Sequence, residues 1–232
     1  MFLAMDTVFE QCSIAILDAN GQVLSSHTEQ GKREQTQHIL PMIDAALSEA
    51  KLNLAQIKAL VFNRGPGAFS GIRINTAVVQ ALSVAHDIPC VGVSSLQAIA
   101  QCAYQRYGLT QVYSALDARM QQVYFGQYSI LGDIADNSIM QPVLATDSDS
   151  TEQLLDYDSQ TAVNLPVVGN GAPLLKAHDE QVCHEEVWPD AVVIGQLGIA
   201  QFIQTGGSDA ANALPKYLRN QAWKTLKEQG KA

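Results

Sequence analysis

Short apolar runs separated by polar turns dominate the first half of the chain. They predict strands over residues 2–7, 12–19 and 22–28, and the pair Asn20-Gly21 favours a hairpin because both residue types tolerate a positive φ. Further along, apolar positions recur every three or four residues, as is typical of helices, and alternate with short apolar runs typical of buried strands. The predicted helices cover residues 35–50, 70–85 and 94–106, and the predicted buried strands cover residues 59–62 and 90–93.

Three strands followed by alternating helices and strands predict an α/β lobe of the ribonuclease-H-like type. The opening of the chain returns near its middle, where an apolar run ending in Asp117 repeats, 111 residues later, the one that ends in Asp6. Repeats at this long period indicate domain duplication, since solenoid repeats return every ~20–50 residues. We therefore predict two related lobes that face a cleft, at residues 1–107 and 108–213, with the second lobe degenerate.

The second half carries weaker signals. It predicts a strand at residues 167–168 and a helix near residues 191–205, whereas residues 132–160 are polar and rich in Asp and Ser. A basic terminal helix is predicted at residues 214–232, after Pro215. In the first lobe, Pro41 is compatible with its helix only if it lies in the first turn.

One predicted helix lacks charge on every face. Residues 74–85 (INTAVVQALSVA) contain no charged side chain, and a helix without a charged side is expected to be buried all round. Two interpretations are open. The helix is sandwiched between its sheet and the other lobe, or it forms a subunit interface together with the helix at residues 35–50.

Composition and charge limit the class of protein. The chain has 232 residues, 47% of them hydrophobic and only 16% charged, against a usual charged share of about 25%. Its net charge is −9, and residues 133–190 contain 12 acidic residues against Lys176 alone, which argues against RNA binding by this chain by itself. No apolar run has the length of a membrane span and no signal peptide precedes the first strand, so we expect a cytoplasmic protein with reduced cysteines.

A glycine-rich loop joins a predicted strand to the uncharged helix. Helix N-termini of this kind hold anions through backbone N–H groups, although the Lys-Ser/Thr pair of a P-loop is absent. An anion or nucleotide site and a tight turn capped by Ser70 are equally compatible with this loop. The candidate anion-binding residues are Arg64, Gly65, Gly67, Ser70 and Gly71.

Candidate catalytic groups are sparse. Asp6 and Asp117 end the first strands of the two lobes, where carboxylates organise metal-bound phosphate in two-lobed ATP-binding folds. However, residues 7–10 (TVFE) follow Asp6 without the glycines that let a backbone approach phosphate, which weakens an ATPase or phosphotransferase interpretation. The histidines lack metal-ligand spacing, and residues 183–186 (CHEE) are expected to form a solvated loop, so no metal site for a metalloprotease is predicted.

Several motifs together resemble the bacterial TsaB family, also called YeaZ. They are residues 5–7 (MDT), 33–41 (REQTQHILP), 64–73 (RGPGAFSGIR), 91–96 (VGVSSL), 116–119 (LDAR) and 217–220 (YLRN). The resemblance implies the actin/hexokinase/Hsp70-like (ASKHA) fold. It also implies a non-catalytic subunit that supports TsaD in forming N6-threonylcarbamoyladenosine at position 37 of tRNAs that read ANN codons. An independent ATP-dependent phosphotransferase or ATPase of the same fold is the alternative.

The resemblance implies further features of the complex. TsaD is the principal partner and the ATPase TsaE joins it, tRNA is reached only through the complex, and the chain forms a homodimer when alone. No cofactor is expected on this chain by itself, although ATP or ADP is compatible with the complex interface.

The resemblance also explains why this chain is expected to lack the metal site of its TsaD-like relatives. The two metal-binding histidines of TsaD-like sequences correspond here to Ser95 and Ile99, and neither side chain replaces an imidazole as a metal ligand. The partner interface is expected on the helices at residues 35–50 and 70–85. Its candidate residues are Gln37, His38, Pro41, Met42, Ala45, Arg73, Ile74, Ala77, Val78, Ala81 and Leu82.

Overall fold

The computed structural model describes residues 1–31, 35–132, 138–143 and 151–219. In the first half, the described elements are β1 (Phe2–Asp6), β2 (Gln11–Leu17), β3 (Val23–Gln30), α1 (Gln35–Glu49), β4 (Ala59–Asn63), α2 (Phe69–His86), β5 (Cys90–Val93) and α3 (Ser95–Tyr107). In the second half, they are β6 (Gln111–Arg119), β7 (Gln122–Ile130), β8 (Met140–Pro142), β9 (Glu152–Asp156), β10 (Val167–Val168), β11 (Cys183–His184) and α4 (Ala191–Thr205).

The first sheet has the strand order β3-β2-β1-β4-β5. Strand β1 pairs antiparallel with β2 and parallel with β4, which is the order predicted for a ribonuclease-H-like lobe. The predicted hairpin is confirmed. Its turn is closed by Asp18, whose carboxylate accepts the backbone N–H groups of Asn20 and Gln22 at 2.8 and 2.9 Å, while Gly21 adopts a φ of +80°.

Apolar side chains cover both faces of this sheet. On one face, Leu3 and Met5 belong to a core shared with α1 and α2, and on the other Phe2 and Ala4 pack in the core that includes α4. This division follows from the alternation of side chains along a strand. Because both faces are covered, the central strands read as continuous apolar runs, which explains why they stood out in the sequence.

The second sheet repeats the order of the first. Its order is β11-β10-β6-β7-β8, with β9 also paired to β7, so β6 and β7 take the positions of β1 and β2. Strands β10 and β11 have two residues each, and a short 3₁₀ turn at Ala172–Leu174 stands where α2 separates β4 from β5 in the first lobe. The prediction of an ASKHA fold with a degenerate second lobe is confirmed.

Helices pack across the boundary between the two halves of the chain. Helix α3, from the first half, packs on β6, β7 and β8, whereas α4, from the second half, packs on β1, β2, β4 and β5. The division at residues 107 and 108 stays a prediction, but each sheet is covered in part by a helix from the other half. The two lobes therefore share an extensive junction.

Two expectations about the helices were wrong. Pro41 is the seventh residue of α1 and lies in its second turn, where its missing N–H leaves the carbonyl of Gln37 without its usual helical donor. Both residues are exposed, so water can satisfy that carbonyl. Helix α2 begins at Phe69 with Ala68 as its N-cap and no capping side chain, so Ser70 does not cap it.

Two expectations in the second half were also wrong. Residues 183–186 do not form a simple solvated loop, because Cys183–His184 pairs with β10 and the His184 ring stacks on Tyr107 at a centroid distance of 4.1 Å. Cys183 is exposed, although no cysteine is in a disulfide. The predicted terminal helix is absent at residues 214–219, and residues 220–232 lie outside the described part of the chain. Within the described residues, no helix is both long and apolar enough to span a membrane.

Candidate functional site

Helix α2 presents an exposed and almost uncharged side to solvent. Its buried residues, which include Ile72, Val79 and Ser83, face the sheet, whereas Val84 is 77% exposed. The expectation that this helix is buried all round was therefore wrong, as was the interpretation that places it between the sheet and the other lobe. An uncharged helix side that the described residues leave uncovered is typical of an interaction surface.

We call the outward side of helices α1 and α2 the α1–α2 face. It consists of the exposed residues Gln37, Leu40, Pro41, Asp44, Ala45, Arg73, Ala77, Ala81 and Val84, with the partly buried residues His38, Ile74, Val78 and Leu82 beside them.

The predicted interface residues differ in how far their side chains are buried. Gln37, Pro41, Ala45, Arg73, Ala77 and Ala81 are exposed, while His38, Ile74, Val78 and Leu82 are partly buried. Three of the latter, Ile74, Val78 and Leu82, pack against the core shared by α1, α2 and the sheet. Met42 lies in that core and is only 6% exposed, so its side chain supports the face from below.

Aromatic residues extend this face at the start of α2. Phe69 is 52% exposed, and the guanidinium carbon of Arg73 lies 3.6 Å from its ring centroid. The Nε of Arg73 donates to the hydroxyl of Tyr217 at 3.2 Å. Arg73 is thus held by stacking and a hydrogen bond at the margin of the face.

Four large exposed side chains of this region are not among the residues predicted for the interface: Leu40, Phe69, Val84 and Tyr217. Val84 lies inside the uncharged run of residues 74–85, but the sequence alone does not show that its side chain is exposed. Tyr217 is 144 residues from Arg73 in the chain, and no local pattern signals their contact.

Close packing explains the glycines of the loop before α2 and of the first turn of α2. A Cβ on Gly71 would lie 2.0 Å from the carbonyl oxygen of Thr7, and one on Gly67 would lie 2.3 Å from a methyl group of Val8. Gly65 adopts a φ of +95°, and its N–H donates to Asn63 at 3.0 Å. Ser70 is exposed. The glycines let the loop seat against the segment that follows β1, and its predicted anion site stays a prediction.

Asp6 is completely buried at the end of β1. One carboxylate oxygen accepts the Val8 N–H at 2.8 Å and the Asn63 amide at 3.1 Å, while the other is 3.4 Å from the Gln11 amide. Burial raises the pKa of Asp6 to about 7, because these hydrogen bonds only partly offset the loss of water.

Asp117 has different surroundings. It accepts the hydroxyl of Tyr157 at 2.9 Å and forms an ion pair with Arg119 at 2.9 Å. The two strand-ending carboxylates therefore occur in unlike environments, one dry and one charge-paired.

Apolar side chains fill the space where the loop after β1 meets the second lobe. Val8 and Phe9 are 3% and 7% exposed and belong to one core cluster with Leu96, Ile99 and Leu116. In a two-lobed ATP-binding site, this loop must offer backbone to phosphate, and only glycine permits that close approach. Here the loop is a structural part of the junction.

The two positions that the resemblance matches to histidines of TsaD-like sequences are also part of the core. Ser95 and Ile99 are both fully buried, and the hydroxyl of Ser95 donates to Asn63 at 2.7 Å. Across the described ranges, no three His, Cys, Asp or Glu side chains cluster as metal ligands would.

Comparison with known proteins assigns the chain to a family. A TsaB protein named for tRNA threonylcarbamoyladenosine biosynthesis, from Haemophilus influenzae, is 32% identical over 97% of this chain and 96% of its own length. This chain belongs to the TsaB family. The Escherichia coli TsaB is 42% identical over 126 residues, or 54% of each chain.

Two further comparisons agree with this family. The family model described as TsaD, tRNA N6-adenosine threonylcarbamoyltransferase, matches residues 22–226. The solved structure of YeaZ from Pseudomonas aeruginosa superposes with a TM-score of 0.80 at 34% identity, covering 94% of this chain and 99% of that one.

Proposed function

We propose that this chain is a non-catalytic subunit in the formation of N6-threonylcarbamoyladenosine at position 37 of tRNAs that read ANN codons. Its membership of the TsaB family supports the pathway, since the relatives are named for threonylcarbamoyladenosine biosynthesis. Its role there is to bind and support a TsaD-like transferase, and the match to the TsaD family model supports this partner.

The exposed, nearly charge-free α1–α2 face is the observation that carries the proposal. Val84 and Leu40 are 77% and 56% exposed, and burying such side chains fully contributes about 1.5–3 kcal/mol each. The small side chains of Ala77 and Ala81, which lie on the same side of α2 as Val84, allow a partner helix to approach closely. Arg73 at the margin adds a charge that fits an acidic group on the partner.

The filled junction supports a non-catalytic role. Val8 and Phe9 occupy the space that a phosphate-binding loop requires, and the buried Asp6 carboxyl lies in a dry environment. Under this proposal the chain alone binds no cofactor, and ATP or ADP binds at the junction with the partner. TsaE joins the complex, tRNA is reached only through it, and the α1–α2 face is covered by a second copy when the chain is alone in the cytoplasm.

Charged substitutions on the face test the proposal. Ala81→Arg and Val84→Asp are expected to leave the circular dichroism spectrum of the folded chain unchanged, because both positions are exposed on the single chain, but to abolish co-purification with TsaD and tRNA modification by the reconstituted proteins. Ile203→Asp on α4 is the matched control, since Ile203 is 72% exposed on another helix. Full binding and modification by both face variants would disprove this docking surface.

The phosphotransferase alternative has a separate test. Calorimetric titration of the isolated chain with Mg-ATP is expected to give no saturable heat. Micromolar binding with turnover that Asp6→Asn removes would replace the proposed function by an independent enzyme.

A further inference from the structure

The end of the described chain crosses from the first lobe to the second. Lys216 donates its N–H at 2.8 Å to the carbonyl of Arg64, which follows β4 in the first lobe. Three residues later, the guanidinium of Arg219 donates at 3.0 Å to the carbonyl of Arg119 in the second lobe. Residues 216–219 therefore bridge the two lobes.

The turn between β6 and β7, which this segment reaches, has an unusual backbone. Arg119, Met120 and Gln121 adopt φ angles of +60°, +55° and +61°. A two-residue hairpin loop with positive φ at both positions favours Asn and Gly, and neither occurs at Met120 or Gln121. Arg219 holds this turn, since one guanidinium nitrogen lies 3.2 Å from the Met120 sulfur and another lies 2.9 Å from the side-chain oxygen of Gln122. Larger side chains kept in a strained turn are typical of functional positions.

The cations around this turn are more exposed than the carboxylates that pair with them. In the ion pair of Arg119 with Asp117, at 2.9 Å, the arginine side chain is 76% exposed and the aspartate side chain 11%. In the pair of Lys216 with Glu152, also at 2.9 Å, the corresponding values are 29% and 2%. Within the described residues, Arg219 donates only to neutral acceptors. The surface here thus presents positive charge to solvent.

Large apolar side chains lie among these cations. Met120 is 70% exposed and Tyr217 is 46% exposed. The basic strip, as we call this surface, consists of Arg119, Met120, Lys216, Tyr217 and Arg219. The hydroxyl of Tyr217 accepts from Arg73, so the strip ends at the margin of the α1–α2 face. Exposed aromatic rings next to cations are typical of RNA-binding surfaces, because bases stack on the rings while phosphates pair with the cations.

The charge of the remaining chain sets this strip apart. The chain has a net charge of −9, and residues 133–190 contain 12 acidic residues against Lys176 alone. Residues 220–232, which directly follow the strip in the sequence, carry three lysines and one glutamate. An RNA strand is therefore repelled by the chain as a whole and attracted at the strip. This pattern predicts weak RNA binding by the isolated chain and a contact at a defined place once a partner holds the RNA.

We propose that the basic strip contacts the sugar-phosphate backbone of tRNA in the assembled complex, with the Arg119 guanidinium paired to a phosphate group. This inference rests on the proposed function, which supplies both the tRNA and the partner that holds it. An acidic segment of a partner protein would meet the same cations. The exposed Tyr217 ring, and the location of the strip beside the α1–α2 face rather than within it, favour RNA.

The salt dependence of tRNA binding tests the contact. Fluorescein-labelled tRNA is titrated with the complex of this chain and TsaD, and the affinity is measured by fluorescence anisotropy from about 50 to 250 mM potassium chloride. Each phosphate contact adds about 0.7–0.9 to the slope of log affinity against log salt, so Arg119→Gln is expected to reduce the slope by that amount. At about 0.1 M salt the same loss corresponds to about five- to eightfold weaker binding.

Two matched variants accompany this measurement. Arg119→Lys keeps the positive charge and is expected to retain the slope of the unmodified chain. Arg106→Gln removes an exposed arginine from α3, outside the strip, and is expected to bind tRNA as the unmodified chain does.

A gain of charge tests the same place in the opposite direction. Gln121 is exposed in the strained turn. Gln121→Lys is expected to steepen the slope and tighten tRNA binding, whereas Gln121→Glu is expected to weaken it. Because both variants leave Arg119 and its ion pair in place, opposite effects of the two would also exclude damage to the fold as the cause.

This contact and the proposed function fail in different ways. If the Arg119 and Gln121 variants bind TsaD normally but leave the tRNA affinity and the salt slope unchanged, the strip does not contact RNA, and this inference alone is overturned. Loss of TsaD binding in Arg119→Gln would assign the strip to the protein interface and would also overturn it. Failure of the unmodified chain to co-purify with TsaD would instead refute the proposed function, and this contact with it.

Discussion

Replacement of Asp6 by asparagine tests whether the end of β1 is as dry as the structure indicates. Asn is nearly isosteric with Asp, and its amide oxygen can still accept from the Val8 N–H and the Asn63 amide, which both contact the same oxygen of Asp6. The amide nitrogen faces the Gln11 side chain and loses the contact made there at 3.4 Å. That loss does not depend on pH, so the pH-dependent part of the stability isolates the ionisation of Asp6.

The sign and size of the effect follow from the pKa of Asp6, which burial raises from 3.8 to about 7. Between these values the folded protein holds a proton that the unfolded chain has released, so the stability that this group contributes at low pH is lost as pH rises, and the loss ends near the folded pKa. Each pH unit corresponds to about 1.4 kcal/mol. Over the two units from pH 5 to pH 7, the unmodified protein should lose about 2 kcal/mol relative to Asp6→Asn, because the group is half ionised at pH 7 and the slope falls there.

Urea unfolding at pH 5, 6, 7 and 8, followed by tryptophan fluorescence, measures this difference. With a urea dependence of about 3 kcal/mol per molar, as expected for a long chain, the unfolding midpoints of the two proteins should move relative to each other by about 0.7 M between pH 5 and pH 7. The difference should change little above pH 7. A difference in unfolding free energy that is constant across the series would show that Asp6 ionises normally and is in contact with water, which would refute our description of a dry junction.

Two further substitutions test local packing. Gly71→Ala should destabilise the protein by at least about 1–3 kcal/mol in urea unfolding, because its Cβ would lie 2.0 Å from the Thr7 carbonyl oxygen. The neighbouring substitution Ser70→Ala should be neutral or slightly stabilising. Equal stability of the two variants would contradict the close approach of Gly71 to Thr7. Asp190→Ala should cost about 1 kcal/mol, because the Asp190 carboxylate caps α4 by accepting the N–H groups of Val192 and Val193 at 2.9 and 3.2 Å, and unchanged thermal unfolding would show that this cap is unimportant.

Much of the first lobe could be predicted because its elements are signalled locally. The predicted helices at residues 70–85 and 94–106 were observed as Phe69–His86 and Ser95–Tyr107, within one residue at each end. The strands of the first sheet are covered on both faces, so they appear in the sequence as apolar runs. In the second lobe, two strands have only two residues each, and such short segments carry no periodicity.

The sequence predicted where the candidate site lies along the chain, but not which of its side chains are buried. The absence of charge in residues 74–85 identified the helix, yet the same pattern fits a buried helix and an interface helix equally well. Only the packing shows that Ile72 and Val79 face the sheet while Ala81 and Val84 face solvent. For the same reason, the sequence did not show that the Met42 side chain lies in the core.

By itself, the sequence determined the order of the strands and helices in the first lobe, the duplication of the lobes and the lack of charge on α2, since these depend on periodicity and composition along the chain. Only the tertiary structure decided that α3 and α4 cover sheets of the opposite halves and that Phe9 closes the junction between the lobes. It also decided that Tyr217 meets Arg73. These contacts join residues far apart in the chain, and burial depends on the neighbours that the whole fold brings together.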